Sequence, residues 1–278
     1  MALYAFDGTW NEEEGDEGKN TNVIKFRDAY TQKNFYLEGI GTRNGFIGKI
    51  LGGVMGAGGR VRIKEAMEAL DHNLAAGDAV IDIIGFSRGA ALALHFANQI
   101  QTERNGADIR FLGLWDVVAS FGIPGNKINI GWRLTLPDNV KKCYHAMALD
   151  ERRQNFPLTR VQSASKGLST AGRLQELWFR GVHSDVGGGL SVGLSSIALC
   201  WMCRRAREEG LPIDELKIGE YEKCSNADAP ISKNRDPQLD PLRKLLPGDA
   251  VHESVQPREN SDGIEHNNPP DDVVRVGG

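Results

Sequence analysis

Cysteine is scarce in this 278-residue chain. Cys143, Cys200, Cys203 and Cys224 are too few and too irregularly spaced for a disulfide framework. The spacing Cys200-Trp201-Met202-Cys203 lies inside an apolar helical pattern with no second pair near it, which favours core packing over a metal or redox site. A basic excess is also missing: the net charge is −4, which gives no reason to expect a nucleic-acid partner. No apolar run approaches the length of a transmembrane helix. The first residues, Met1 to Asp7, lack the basic region and long apolar core of a signal peptide and read instead as a strand, so synthesis in the cytoplasm is expected, with any export needing a specialised route. The glycine-rich segment from Gly45 to Gly59 is not followed by Gly-Lys-Ser/Thr, which excludes a nucleotide P-loop and leaves a mobile loop beside a site as its reading.

What the chain does have is enough apolar content, 40%, to bury a substantial core in one large domain or two small ones. Strand-like runs alternate with helical ones, so the expected fold class is α/β, with a mainly parallel sheet and helices on both faces. Strands are predicted at Leu3–Phe6, Asn34–Leu37, Ala79–Ile84, Ile109–Leu114, Lys142–Met147 and Leu174–Val182. Helices are predicted at Asn22–Tyr30, Gly59–Leu74, Arg88–Gln101 and Leu194–Glu209. The second helix carries the 3.6-residue period in Ile63, Met67, Leu70 and Leu74, and Gly77 suits its C-terminal cap. From about Ser225 proline, asparagine and acidic residues dominate and periodicity is lost. The organisation expected is a catalytic domain over 1–224 and a polar, irregular C-terminal tail over 225–278.

The most informative stretch runs from Ile81 to Ala93. Ser87 stands between Gly85 and Gly89, where an apolar strand pattern meets a small-residue helix pattern. A nucleophile elbow needs this arrangement: the serine sits on a strained turn that tolerates almost no flanking bulk, and the helix behind it offers N–H groups to a developing oxyanion. A second Gly-x-Ser-x-Gly at Gly189 to Gly193 follows a glycine-rich loop, and Ser191 reads as a helix cap or loop residue. Behind such an elbow the partners follow in the order serine, acid, histidine. Asp116 ends the run Ile109 to Trp115 and is the candidate acid. Of six histidines, His183 follows the strand pattern from Glu176 to Val182, where a catalytic base belongs. His252 is the reserve base. Asp185 is a reserve acid whose first reading is loop organisation. His72 and His95 fall in helical patterns, His145 reads as a core or supporting residue, and His266 lies in the polar tail. The oxyanion donors expected are the N–H of Arg88 and one from Gly8 or Thr9, with Asp7 bracing that loop. A metal-dependent reaction is disfavoured because His183 and Asp185 lack a convincing set of further ligands; no metal or cofactor is expected.

Several longer segments extend this pattern: Phe6-Asp7-Gly8-Thr9-Trp10-Asn11, Gly39-Ile40-Gly41-Thr42, Gly85-Phe86-Ser87-Arg88-Gly89-Ala90, Gly113-Leu114-Trp115-Asp116, His145 to Glu151, and Gly181 to Gly189. Together and in this order, the chain resembles the bacterial α/β-hydrolase family that includes the first group of type VI secretion lipase effectors. The resemblance implies a Ser–Asp–His hydrolase with its triad on Ser87, Asp116 and His183. It further implies membrane phospholipid as substrate, transient membrane contact, and secretion-machinery and immunity proteins as candidate partners. Two other readings share the sequence evidence: a soluble esterase or thioesterase with the same triad, and a non-catalytic binding module on the same fold.

Overall fold

The computed structural model describes residues 1–8, 17–39, 53–119, 131–166, 170–190, 192–233, 239–260 and 265–277. Their centre is a sheet of eight strands, all pairing parallel. The strands are β1 (Ala2–Phe6), β2 (Lys33–Leu37), β3 (Ile81–Phe86), β4 (Ile109–Trp115), β5 (Val140–Ala148), β6 (Leu174–Phe179), β7 (Ala250–His252) and β8 (Val274–Val276). Their spatial order is β2-β1-β3-β4-β5-β6-β7-β8. Every residue of β1 and β3 is buried, as expected of a parallel sheet covered on both faces.

Side-chain alternation sorts the strands between two layers. Tyr4, Phe6, Ile81 and Ile83 face one cluster with α2 (Gly53–Ala75) and α3 (Arg88–Glu103), which supply Met67, Leu70, Leu94 and Phe96. Leu3, Ala5, Ile84 and Phe86 face the other, with α1 (Asn22–Ala29) and α6 (Val192–Glu208), which supply Phe26, Leu199 and Trp201. Cys203 belongs to this second core, and burial pushes the Cys200 thiol up to about 11. Among the described residues three shorter α-helices follow, α4 (Val161–Ala164), α5 (His183–Gly187) and α7 (Glu215–Cys224), with one 3-10 turn at Glu17–Lys19. No helix among the described residues is long and apolar enough to cross a membrane.

The predicted strands and helices are all present, with shifted ends. The helix expected from Gly59 starts at Gly53; residues 45–52 of the expected glycine loop lie outside the described residues. Gly77 closes that helix at φ +81, donating to the Leu74 carbonyl at 3.0 Å. The strand expected to reach Val182 stops at Phe179. There Arg180 turns to a buried ion pair with Asp150 at 2.8 Å, and Gly181, at φ +112, donates its N–H to the same carboxylate at 2.7 Å. Segment 225–278 gives β7 and β8 to the sheet, and its other described residues form no helix.

Asp82 interrupts the apolar run of β3, and the fold accounts for it. Its fully buried carboxylate accepts from Arg110 Nε at 2.9 Å, Arg110 Nη2 at 2.6 Å and Tyr30 Oη at 2.9 Å. Removing one member of a buried pair leaves an uncompensated charge. Arg110→Ala should therefore lower folding stability by roughly 3 kcal/mol, with Arg110→Lys losing less, as read from urea unfolding midpoints.

Candidate active site

The site is built at the C-terminal ends of β3, β4 and β5. Ser87 follows β3 directly and holds φ 59, ψ −126, a conformation that costs a non-glycine residue free energy and persists only where the surroundings enforce it. They do so through backbone. Ser87 N–H donates to the Trp115 carbonyl at 3.0 Å, and Val118 N–H donates to the Ser87 carbonyl at 3.2 Å. The flanking glycines are steric necessities: a Cβ on Gly89 would lie 2.3 Å from the Phe6 carbonyl oxygen, and one on Gly85 would lie 2.7 Å from Ala90 Cα. The first turn of α3 thus rests directly on the end of β1.

Asp116 sits one strand over, also at positive φ (40°), with its N–H on the Ala146 carbonyl at 2.8 Å. Its carboxylate is fully buried. Oδ1 accepts from Ala148 N–H at 2.9 Å and Arg243 Nη1 at 2.7 Å; Oδ2 contacts His183 Nδ1 at 2.6 Å and Arg243 Nη2 at 3.2 Å. Burial alone would raise its pKa, but the Arg243 charge and the bonds from His183 and Arg243 outweigh it and hold the group well below the carboxylate range.

His183 opens α5. Its N–H donates to Glu151 Oε2 at 3.1 Å, and Glu151 is itself clamped by Arg153 at 2.7 Å. Its ring lies between Phe86 and Phe156, with centroids 4.5 and 4.7 Å away. Phe86 is the residue before Ser87, so the ring that covers His183 is carried by the elbow. Gly187 makes room for it: a Cβ there would lie 2.0 Å from the Phe86 ring. Burial lowers the His183 pKa against the opposing pull of Asp116. A neutral imidazole donating from Nδ1 keeps its lone pair on Nε2.

The remaining sequence-derived residues fall as follows. Arg88 is the first residue of α3; its guanidinium lies 5.8 Å from the Phe156 centroid. Asp7 is buried, with Oδ1 accepting from Gly8 N–H at 2.7 Å and Oδ2 from Thr21 Oγ1 and Tyr36 Oη, each at 2.8 Å. The Gly8 N–H thus bonds Asp7, the residue expected to brace this stretch of backbone. Thr9 and Ser191 lie outside the described residues. Asp185 accepts from Val182 N–H at 3.0 Å and from Ser232 N–H at 2.9 Å, tying α5 to the C-terminal segment and making no bond to His183. His252, on β7, stacks on Phe179 at 4.9 Å and bonds Ser254 at 2.8 Å, apart from the Asp116 cluster; burial lowers it to about 4. His145 is fully buried, accepting from Val117 N–H at 3.2 Å and donating to Glu176 at 3.0 Å, so it supports the turn that carries Asp116. Burial lowers His95 to about 4, with Arg133 N–H on its Nδ1 at 3.1 Å. Arg243, Phe156 and the role of Glu151 were not legible in the sequence.

A family model described as the catalytic domain of the Tle1-like type VI secretion phospholipase effectors matches residues 3–103 and 94–205. The chain belongs to this family. Its structure is similar to that of an uncharacterized protein from Pseudomonas aeruginosa, at 23% identity and a TM-score of 0.55, covering 76% of this chain and 46% of that one. It is also similar to a Tle1 effector solved bound to the VgrG spike of the type VI secretion system, at 26% identity and a TM-score of 0.49, covering 69% and 51%. The chain thus spans about half the length of these two structures. A comparison with curated proteins finds no match. The family and the parallel sheet together make the fold α/β-hydrolase-like.

Asp7 gives a test of the site's electrostatics. Burial, partly offset by the Tyr36, Thr21 and Gly8 bonds, raises its pKa to about 6. A carboxyl raised in the folded state stabilises the fold below its unfolded pKa, and that contribution is lost as pH rises through about 6. Asp7→Asn should therefore gain stability relative to wild type between about pH 4 and pH 7, by up to about 3 kcal/mol. Urea midpoints at unit pH steps would read this, and a pH-independent difference between the two proteins would contradict it.

Proposed function

We propose that this chain is a serine ester hydrolase that cleaves membrane glycerophospholipids through an acyl-enzyme. The observation that carries the reading is the 2.6 Å contact of His183 with the buried Asp116, set beside a serine held in a strained strand-to-helix turn. The substrate class is supported by membership in a family of phospholipase effectors.

In the proposed reaction Ser87 Oγ attacks the ester carbonyl carbon and passes its proton to His183 Nε2. Asp116 fixes the Nδ1–H tautomer and stabilises the imidazolium. The oxyanion is held by the Arg88 N–H at the start of α3, where the helix dipole adds to the field, with Gly8 or Thr9, just after β1, as the second donor. Asp7 braces that backbone by accepting from the Gly8 N–H. The carbonyl re-forms, the bond to the leaving alcohol breaks, and His183 gives that oxygen its proton, releasing lysophospholipid. Water then attacks the acyl-enzyme with His183 as base, and Ser87 is regenerated as the fatty acid leaves. Export through a type VI secretion apparatus, with a component of that machinery as carrier, is the delivery route we infer from the family.

Purified protein incubated with mixed phospholipid vesicles should release free fatty acid and lysophospholipid, identified by mass spectrometry. Ser87→Ala and Asp116→Asn should each lower the rate by on the order of 10³-fold or more. Intact lipid with both wild type and Ser87→Ala, but fluorophosphonate labelling of wild type alone, would keep the hydrolase and discard the lipid in favour of a soluble ester. Failure to label Ser87 at all would favour the binding-module reading.

A further inference from the structure

Asp116 offers four lone-pair sites on a carboxylate with no solvent access, and all four are filled. Ala148 N–H and His183 Nδ1 take one each; a single side chain, Arg243, takes the other two. The same guanidinium donates to the Ala148 carbonyl at 2.6 Å and the Phe156 carbonyl at 2.9 Å. Four bonds from its two terminal nitrogens fix it in place, as the rigid fork of arginine allows and the ammonium of lysine does not. Its own backbone is tethered in turn: Asn267 Nδ2 donates to the Arg243 carbonyl at 2.7 Å and to the Leu149 carbonyl at 2.8 Å. Arg243 lies 127 residues beyond Asp116 and outside the span matched by the family model.

We propose that Arg243 is a positioning residue of the triad, whose guanidinium locks the Asp116 carboxylate in one orientation and cancels part of its charge, so that His183 rests as a neutral base. This rests on the triad reading above. An unshared buried aspartate 2.6 Å from a histidine would draw a proton onto the ring, and an imidazolium cannot accept the Ser87 proton. Burial of the ring opposes that tendency most, and the neighbouring Arg243 cation adds to that opposition. The other charged groups around the ring are Glu151, which favours imidazolium and is shared with Arg153, and the guanidiniums of Arg88 and Arg153 across Phe156. The C-terminal segment therefore belongs to the chemistry of the site.

The test is the pH dependence of Ser87 labelling by a fluorophosphonate, which needs neutral His183 but no identified substrate. Arg243→Gln, which keeps hydrogen-bonding groups but not the charge, should move the acid limb to higher pH by about one unit or more. Arg243→Lys, which keeps the charge but not the fork, should label more slowly with its limb where wild type has it. A purely structural role would lower the melting temperature, and the rate with it, in both and move neither limb. An unshifted limb in Arg243→Gln overturns the inference. If that variant does not fold, Arg243→Lys decides it: a limb displaced upward by a full unit, or a melting temperature that falls with the rate, overturns the inference, and a reduced rate with limb and melting temperature both unmoved supports it. Wild type that labels at no pH would overturn the hydrolase reading instead; the Arg243 inference is then decided by NMR titration of the His183 ring, which should titrate higher in Arg243→Gln.

Discussion

A fully buried carboxylate is tolerable only if every acceptor site on it is filled, and the architecture around Asp116 follows from that requirement. The donors come from the end of β5, from the first residue of α5 and from the C-terminal segment. Each must arrive at its own angle, so the relative placement of the strand, the helix and the segment is fixed at one point. The positive φ of Asp116 turns the carboxylate into this cage, and the bond from Val117 N–H to His145 holds the turn that does so. Ser87 is bonded to the same strand end through Trp115 and Val118, so Ser87 and Asp116 share one backbone frame.

Steric constraint completes what electrostatics begins. The elbow brings α3 onto β1 at a distance that only glycine at 89 permits, and α5 comes against Phe86 at a distance that only glycine at 187 permits. Both contacts converge on residues adjacent to Ser87. The conformation of the serine is therefore imposed from two sides of the sheet, which is how a strained turn survives in a stable protein.

Much of this was legible in the sequence, because the signals were local. The apolar run into Gly85-Phe86-Ser87-Arg88-Gly89, the acid after Trp115 and the histidine after Val182 all lie within a few residues of a strand end, and strand ends can be read from pattern. What was hidden depends on contacts across the chain. Arg243 sits in Pro241-Leu242-Arg243-Lys244-Leu245, where no periodicity marks it and a lysine beside it carries the same charge. Nor does pattern show that the Gly8 N–H bonds the carboxylate of the neighbouring Asp7. Boundaries also moved where a buried charge intervened, as at Arg180, whose pairing with Asp150 accompanies the exit of the chain from the sheet.

The spacing of the Asp116 donors along the chain has a consequence for biosynthesis. They lie 32, 67 and 127 residues downstream of the aspartate, so the cage closes in the order of translation and closes last with residue 243. Contacts this distant in sequence are slow to form and are made only after the intervening elements have packed. A nascent or partly folded chain would carry the serine and the histidine without the arrangement that joins them. The Asp116 carboxylate thus acquires its full set of donors only once the segment around Arg243 has packed against the end of β5.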